Sequence, residues 1–535
     1  MKLTLAQLDF VVGDVDGNVE RVRSACQRSG HSGDDLLLFP ELAIAGYPPD
    51  DLLLRPGFLA RCQAGVSAIE AAALPGHVLV GHPWQQDEQL YNACSWWRDG
   101  QLQLRYLKQA LPNYAVFDEK RHFARGQEVG LVRWGAVSVG LMICEDIWAD
   151  APTARTVAAG AELLLVCNAS PYHAGKRAER EALLQRRARE HGVAIAYVNL
   201  LGGQDDIVFD GQSLAVNADG SIAGVAPAFA EELLSLDYDP TRRHFAPVQW
   251  HVPAPAEEWS TLYAALVRST ADYVRKNGFS KVLLGLSGGI DSALTLAIAV
   301  DALGPEQVEA ILLPSRYTSD LSNVEAARQA EILGVRWRSL PIEAPFQAFL
   351  DTLAPTFEGR PVDVTEENLQ SRCRGVILMA LSNKFGSLLL STGNKSEMAM
   401  GYATLYGDMC GAFAPLKDVY KTEVFALARW RNTQGMAIPE AVIERPPSAE
   451  LRDNQVDQDS LPPYEQLDAI LYRFIELDRS RAAIIEEGYP EAMVQRVGRQ
   501  VLLNEYKRRQ APPGPKVSRR AFGRERRYPI SSGFR

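Results

Sequence analysis

The sequence predicts two α/β domains in tandem, and three observations carry that prediction. The chain has 535 residues, and at roughly 100–200 residues per domain that length calls for more than one. Short β-like apolar runs alternate with helix-like ones as far as about residue 235. Beyond a proline-rich stretch a second strand–helix alternation begins, and it contains no histidine: His31, His77, His82, His122, His173, His191, His244 and His251 all precede it.

In chain order the strand-like runs of the first half are LTLAQLDF, DDLLLFPE, VLVGHPW, YNACSWW, QLQLRYL, AVSVGLMICE, ELLLVCNAS and VAIAYVNL. Asp99-Gly100, between SWWR and QLQL, is a two-residue hairpin signal. Helical patterns lie around 57–73 and 175–191, the second with arginines and glutamates on a solvated face. Layered sheets flanked by helices are expected. The stretch 237–258 is proline-rich and lacks a period, which suits a linker, so the boundaries are drawn at 1–240, 241–258 and 259–535. From there WSTLYAALVRSTADYVRKNG reads as an amphipathic helix, KVLLGLS as a buried strand, and EAILLPS as the next strand after an intervening helix. That alternation argues for a parallel sheet covered on both faces.

Composition excludes several classes. With 47% hydrophobic, 23% charged and 8% aromatic residues, neither a disordered tail protein nor a fibrous repeat fits. A net charge of −10 disfavours a surface built to coat phosphates. The last 20 residues are the exception, with seven basic residues and one glutamate. They are open to contact with a dinucleotide's phosphates, a neighbouring subunit or nucleic acid, the last disfavoured by the acidic chain. No run approaches about 18 apolar residues, and the start has no signal layout, so a cytoplasmic protein without membrane contact is expected. The seven cysteines include no C-x-x-C pair, which suits buried thiols better than zinc or dithiol chemistry.

Three apolar runs end at reactive side chains: LLLFPE at Glu41, LQLRYLK at Lys108 and VGLMIC at Cys144. Strand ends present groups to clefts. A thiolate generated by a carboxylate base, with an ammonium to stabilise the oxyanion, makes an acyl-transfer site without histidine. The blocks LLLFPELAIAGYPPDDLL, LKQALPNYAVFDEKRHF and GLMICEDIW resemble the three signatures of the nitrilase or carbon-nitrogen hydrolase superfamily. The resemblance implies an αββα layered sandwich, with Glu41 as base, Lys108 as second member and Cys144 as the acylated nucleophile. It also places Glu119 near the cysteine, an ion pair with Lys120 or Arg121 being the alternative, and Tyr114, Ser170 and Lys176 around the amino-acid end of glutamine.

The second constellation is KVLLGLSGGIDSALTLAIAV, a strand, a turn of small residues and a helix start, where free backbone N–H groups favour an anion. Gly285-Leu286-Ser287-Gly288-Gly289 matches a nucleophile elbow, but no histidine follows His251 to complete a serine triad. Walker and dinucleotide fingerprints are absent. SGGIDS resembles the pyrophosphate loop of the ATP pyrophosphatase family, with its doubly wound, adenine nucleotide alpha hydrolase-like sheet. The resemblance implies that Gly285, Leu286, Ser287, Gly288, Gly289, Ile290, Asp291 and Ser292 hold ATP, Asp291 also serving magnesium.

Further blocks, ENLQSRCRG, STGNKSEMAMGYATLYGDMCGAFAPLKDVYKTEV, ERPPSAELRDNQVDQDSLPPYEQLD and NEYKRRQ, make the whole chain similar to the family of NAD synthetases that draw nitrogen from glutamine. The likeness implies the substrates ATP, glutamine and nicotinic acid adenine dinucleotide (deamido-NAD), a magnesium ion, and a homo-oligomer. Thr392 would then meet ATP, Glu397 magnesium and the dinucleotide, and Asn368, Arg372, Asp408, Lys421 and Lys507 the dinucleotide. Local alternatives are a helix cap for Asn368, pairing of Lys421 with Glu423 or Asp418, and solvation of Lys507. Two other functions compete: another glutamine-fed ATP pyrophosphatase, and an ATP-sensing regulator with a retired hydrolase domain.

Overall fold

The computed structural model describes residues 1–246, 258–453 and 455–534. Two compact units divide the chain, Met1–Ala256 and Glu257–Arg535.

The first unit holds two large sheets. One has seven strands, in the order β15 (His244–Phe245), β14 (Glu232–Asp239), β1 (Lys2–Gln7), β2 (Leu36–Leu38), β3 (His77–Gln86), β4 (Gln89–Arg98) and β5 (Gln101–Leu107). The other has six, in the order β13 (Ile222–Val225), β12 (Leu214–Val216), β9 (Ala194–Asn199), β8 (Leu163–Asn168), β7 (Val137–Ile143) and β6 (Gly130–Trp134). A short hairpin, β10 (Leu201–Gln204) and β11 (Ile207–Asp210), completes the unit. Side-chain alternation decides the layering. Leu36, Leu38, Leu79, Leu163, Leu165 and Ala196 fill the space between the sheets. Their neighbours Leu37, Val78 and Val80 turn outward onto the helices Val15–Arg28 and Pro56–Ala71, and Leu164, Val166 and Ile195 onto Lys176–His191. Helix, sheet, sheet, helix is the layering the sequence implied. Asp99 and Gly100 both take positive φ, 49° and 78°, as a tight right-twisted hairpin requires.

The linker expectation needs correcting at its start. Phe245 is fully buried between the two sheets and its N–H donates to Asn217 Oδ1 at 2.8 Å, so 241–246 belong to the first unit. Residues 247–257 of that expected linker lie outside the described residues.

The second unit has a parallel sheet in the order β18 (Arg336–Ser339), β17 (Val308–Leu312), β16 (Val282–Gly285) and β19 (Leu388–Leu390). Ala310 and Leu312 face Leu296, Ala326 and Ala330 on one side, and Ile311 faces Phe346 and Cys373 on the other. The sheet is therefore doubly wound. Chain order reverses between β16 and β19, and ligands of such sheets bind outside the strand carboxyl ends at that point. A helical cluster built on Leu467, Ile470, Val494, Val497 and Val501 packs around Ala399 and Tyr420. Among the described residues no helix is long and apolar enough to cross a membrane.

Candidate functional site

In the first unit Lys108 directly follows β5, Cys144 directly follows β7, and Glu41 lies just beyond β2, so three strand ends converge. Lys108 Nζ is 2.6 Å from Glu41 Oε1 and 2.8 Å from each Glu119 oxygen, and Lys108 and Glu41 are wholly buried. Glu41 also accepts from Asn92 Nδ2 at 2.7 Å and from the Ala169 N–H at 3.1 Å. Glu119 pairs with Lys108, not with Lys120 or Arg121, and takes a further bond from the Tyr47 hydroxyl at 3.1 Å. Burial alone would lower the Lys108 pKa, but the Glu119 and Glu41 charges outweigh it and hold the ammonium protonated. Burial, with Glu41 nearby, pushes Glu119 up to about 7 against the pull of Lys108.

Cys144 sits at φ 45° and ψ −97°, a backbone strain of about 1–3 kcal/mol for a residue with a Cβ. The turn is held from both sides: the Cys144 N–H donates to Cys167 O at 3.0 Å, and the Ile147 N–H to Cys144 O at 3.1 Å. Burial, followed by the Glu41 charge, raises the thiol pKa well above its ordinary value. The resting group is thus a thiol, and attack requires a base to take its proton. Around it, Tyr114 donates through its hydroxyl to Glu145 at 3.0 and 3.1 Å. Ser170 is buried, with its Oγ accepting from Arg180 Nε at 3.2 Å. Lys176 is packed over the Trp148 ring at 4.1 Å and paired with Glu179 at 3.3 Å.

In the second unit a cavity with about 1560 Å³ of empty space, its open mouth included, lies at the reversal point of the sheet. The loop after β16 is folded on its own small side chains: Ser292 Oγ accepts from the Ser287 N–H at 3.2 Å and donates to Gly289 O at 3.0 Å. Gly285, Leu286, Ser287, Gly289, Ile290, Asp291 and Ser292 line the cavity together with Thr392, Glu397, Asp408 and Lys421. Leu286 contributes shape, since its own N–H goes to Ile311 O at 2.9 Å. Gly288 serves the loop through its backbone. It does not line the cavity; at φ 77° a Cβ there would stand 2.4 Å from Ser322 O, so glycine is needed to let the turn pass that carbonyl.

A capping box explains why Glu397 is well placed. Its N–H donates to Asn394 Oδ1 at 3.0 Å while its Oε2 accepts from the Asn394 N–H at 3.3 Å. Asn394 Nδ2 in turn donates to Asp291 Oδ1 at 2.8 Å. Lys421 lies between Asp291 and Glu397, in contact with the first and 3.4 Å from the second. The local alternatives for Lys421 fail: Glu423 accepts from the Tyr420 N–H, and Asp418 pairs with Lys395. Burial and the Asp291 charge push Glu397 up to about 8 although Lys421 opposes them.

Three further residues expected to meet the dinucleotide bond to the segment 401–405. Asn368 Oδ1 accepts from Thr404 Oγ1 at 2.7 Å, Arg372 Nε donates to Leu405 O at 3.2 Å, and Lys507 Nζ donates to Gly401 O and Ala403 O at 2.7 Å. All three brace the segment 401–405, whose Tyr402 and Thr404 do face the cavity. Asn368 is mid-helix in Val364–Phe385, so it is no cap; Asp363 holds that place. Within the basic tail Lys516 is paired with Glu525 at 3.6 Å, and Arg520 and Arg526 are paired at the surface with Asp478.

The carbon-nitrogen hydrolase family model matches residues 2–246 and the NAD synthase model residues 262–511. The chain is 56% identical over its full length to the glutamine-dependent NAD(+) synthetase of Xanthomonas campestris pv. campestris (strain 8004), covering 98% of that protein. It is 55% identical to that of Xylella fastidiosa (strain 9a5c), covering 99%. A solved glutamine-dependent NAD+ synthetase from Acinetobacter baumannii, in complex with adenosine diphosphate, aligns over 100% of this chain and 99% of its own at 45% identity and a TM-score of 0.81. The chain belongs to the glutamine-dependent NAD(+) synthetase family.

Membership in the glutamine-dependent NAD(+) synthetase family accounts for both halves, the nitrilase-like unit and the synthetase unit. Several site neighbours were not legible beforehand. Asn92, Tyr47 and the Ala169 N–H reach Glu41 and Glu119 from other elements, and no local pattern marks them. Arg374, Arg445, Glu450 and Asp457 also line the cavity; Arg374 lies inside the ENLQSRCRG block and the other three inside ERPPSAELRDNQVDQD, blocks that pointed to their segments without giving them a role.

Proposed function

We propose that this enzyme amidates deamido-NAD to NAD, spending ATP and taking nitrogen from glutamine. At the first site Cys144 Sγ attacks the glutamine amide carbon while Glu41 accepts the thiol proton. Lys108, its charge secured by two carboxylates, stabilises the oxyanion. Ammonia leaves, and water releases glutamate from the thioester with Glu41 again as base. Tyr114, Ser170 and Lys176 hold the amino-acid end, the cation suiting the α-carboxylate.

At the second site the nicotinate carboxylate displaces pyrophosphate from the α-phosphorus of ATP, and ammonia then displaces AMP from the acyl adenylate. The turn 287–292 and Thr392 receive the ATP, and Asp408 and the braced segment 401–405 border the dinucleotide. Asp291 and Glu397 suit magnesium, which takes one or two carboxylates and fills its remaining positions with water and phosphate oxygens. Among the described residues no group of three or more His, Cys, Asp or Glu is disposed to hold a metal alone, in keeping with an ion that arrives with the nucleotide. Bound there, it would neutralise phosphate charge. The observation that carries the proposal is the meeting of the small-residue turn, Asp291, Glu397 and Lys421 in one large cavity, in a chain that also builds Glu41, Lys108 and Cys144 into a single cluster.

Product analysis tests it. Wild type given magnesium-ATP, deamido-NAD and glutamine is expected to yield NAD, AMP, pyrophosphate and glutamate, and Cys144→Ala to yield NAD from ammonium alone. Glutamate release without NAD from either nitrogen source would refute the second half.

A further inference from the structure

Asp146 has no part in the chemistry described above, yet it is the most fully used carboxylate near Cys144. It is wholly buried, and its two oxygens accept from two chain segments, one ending at Ile143 and the other running from Tyr106 to Ala110. Oδ2 accepts from the Ile143 N–H at 3.0 Å and the Tyr106 hydroxyl at 2.8 Å. Oδ1 accepts from the N–H groups of Gln109 at 3.1 Å and Ala110 at 2.7 Å. Ile143 immediately precedes the nucleophile, and Gln109 and Ala110 immediately follow Lys108. One planar, rigid group therefore spans the strained turn that presents the thiol and the strand end that presents the ammonium.

We propose that Asp146 is a positioning residue for amide hydrolysis, fixing the register of Cys144 against Lys108; this rests on the reading of Cys144 as nucleophile. The strained φ of Cys144 needs surroundings that over-determine it, and the Asp146 bond to Ile143 supplies one restraint beside the nucleophile. Only an ionised carboxylate meets all four donors. In an asparagine the amide NH2 would face either the Gln109 and Ala110 N–H pair or the Ile143 N–H, a donor against a donor in both orientations. Gln109 Nε2 donates to the Tyr106 hydroxyl at 3.2 Å, so that hydroxyl relays the same restraint to the Lys108 segment.

The test uses the full chain carrying Asp146→Asn or, as a gentler variant that leaves the carboxylate in place, Tyr106→Phe. Three quantities are compared with wild type: kcat and KM for glutamate release from glutamine, the rate at which iodoacetamide alkylates Cys144 as followed on its peptide by mass spectrometry, and NAD formation from ammonium. For Asp146→Asn the expected result is a kcat lower by about 10- to 100-fold, glutamine KM within about twofold, slower alkylation of Cys144, and ammonium-driven NAD formation unchanged. Tyr106→Phe is expected to show the same pattern with a smaller fall. Wild-type kcat and alkylation in Asp146→Asn would overturn the proposal, as would a loss shared equally by the ammonium reaction, which marks a purely structural role. Should Asp146→Asn fail to fold, normal kcat and alkylation in Tyr106→Phe would overturn it. Alkylation is read without glutamine, so a wild type lacking glutaminase activity would refute the reading of the site while the alkylation rates still decide the role of Asp146.

Discussion

A lysine held between two carboxylates organises each half of the molecule, but the two are set differently against solvent. Lys108 and its partners Glu41 and Glu119 have side chains 0%, 0% and 6% exposed. Lys421 is equally hidden at 2%, while Asp291 and Glu397 are each 17% exposed and open onto the cavity. The first cluster is complete as it stands and waits for one small neutral amide. The second opens its carboxylates onto the cavity, and on the proposed function its lysine and acids would exchange partners when phosphate arrives. A preformed charge cluster suits a hydrolysis whose charge develops in the transition state. An openable one suits substrates that bring several charges of their own.

Replacing each lysine should break the comparison most sharply. Lys108→Met leaves two sealed carboxylates without a counter-charge, and a loss of about 3–5 kcal/mol in unfolding free energy is expected from denaturant titration. Glutamate release should fall by about 10³-fold or more in the same variant. Lys421→Met should reduce NAD formation from either nitrogen source by about 10²-fold. Its stability loss should stay below about 2 kcal/mol, because water reaches its carboxylates; equal destabilisation by the two variants would erase the distinction drawn between the sites. Gly288→Ala forces a Cβ toward Ser322 O, and NAD formation should drop by about tenfold with glutamate release intact.

A pH profile sharpens the contrast further. Glu119 has its pKa raised to about 7, so as pH falls below 7 it takes up a proton and Lys108 loses one of its two counter-charges. The kcat/KM for glutamine should decline by about tenfold per pH unit on that limb, and Glu119→Gln should flatten the limb while lowering the plateau. The raised value also means that the folded chain binds this proton more tightly than the unfolded chain, so the Glu119 contribution to stability decreases as pH rises from about 4.5 to 7. The smallest effect is expected for Lys507→Met, which frees the carbonyls of Gly401 and Ala403. A few-fold rise in KM for deamido-NAD, with a stability loss of about 1–2 kcal/mol, would place it as a brace; an unchanged KM would deny that the segment 401–405 borders the dinucleotide.

Much of this was determined by the sequence alone. Continuous apolar runs such as DDLLLFPE and ELLLVCNAS mark strands buried on both faces, and small residues followed by an acid at SGGIDS set a turn and a helix start. Glu41, Lys108 and Cys144 could be singled out because each ends an apolar run, a property of the local chain. The partners that give those residues their chemistry were decided only by tertiary structure. Glu119 chooses Lys108 over its sequence neighbours Lys120 and Arg121 because burial makes an adjacent charge in water worth less than one in the same sealed space. Asn368, Arg372 and Lys507 meet the segment 401–405 through the Thr404 hydroxyl and the carbonyls of Leu405, Gly401 and Ala403, because backbone and side-chain polar groups take partners from whichever element packs against them. Asp146 takes one donor locally from Ile143, and its other three, from Tyr106, Gln109 and Ala110, come from a segment that meets it only after the sheets have packed. Spacing along a chain records which groups are available; which of them meet, and with what charge, depends on contacts between segments far apart in sequence and on the water those contacts exclude.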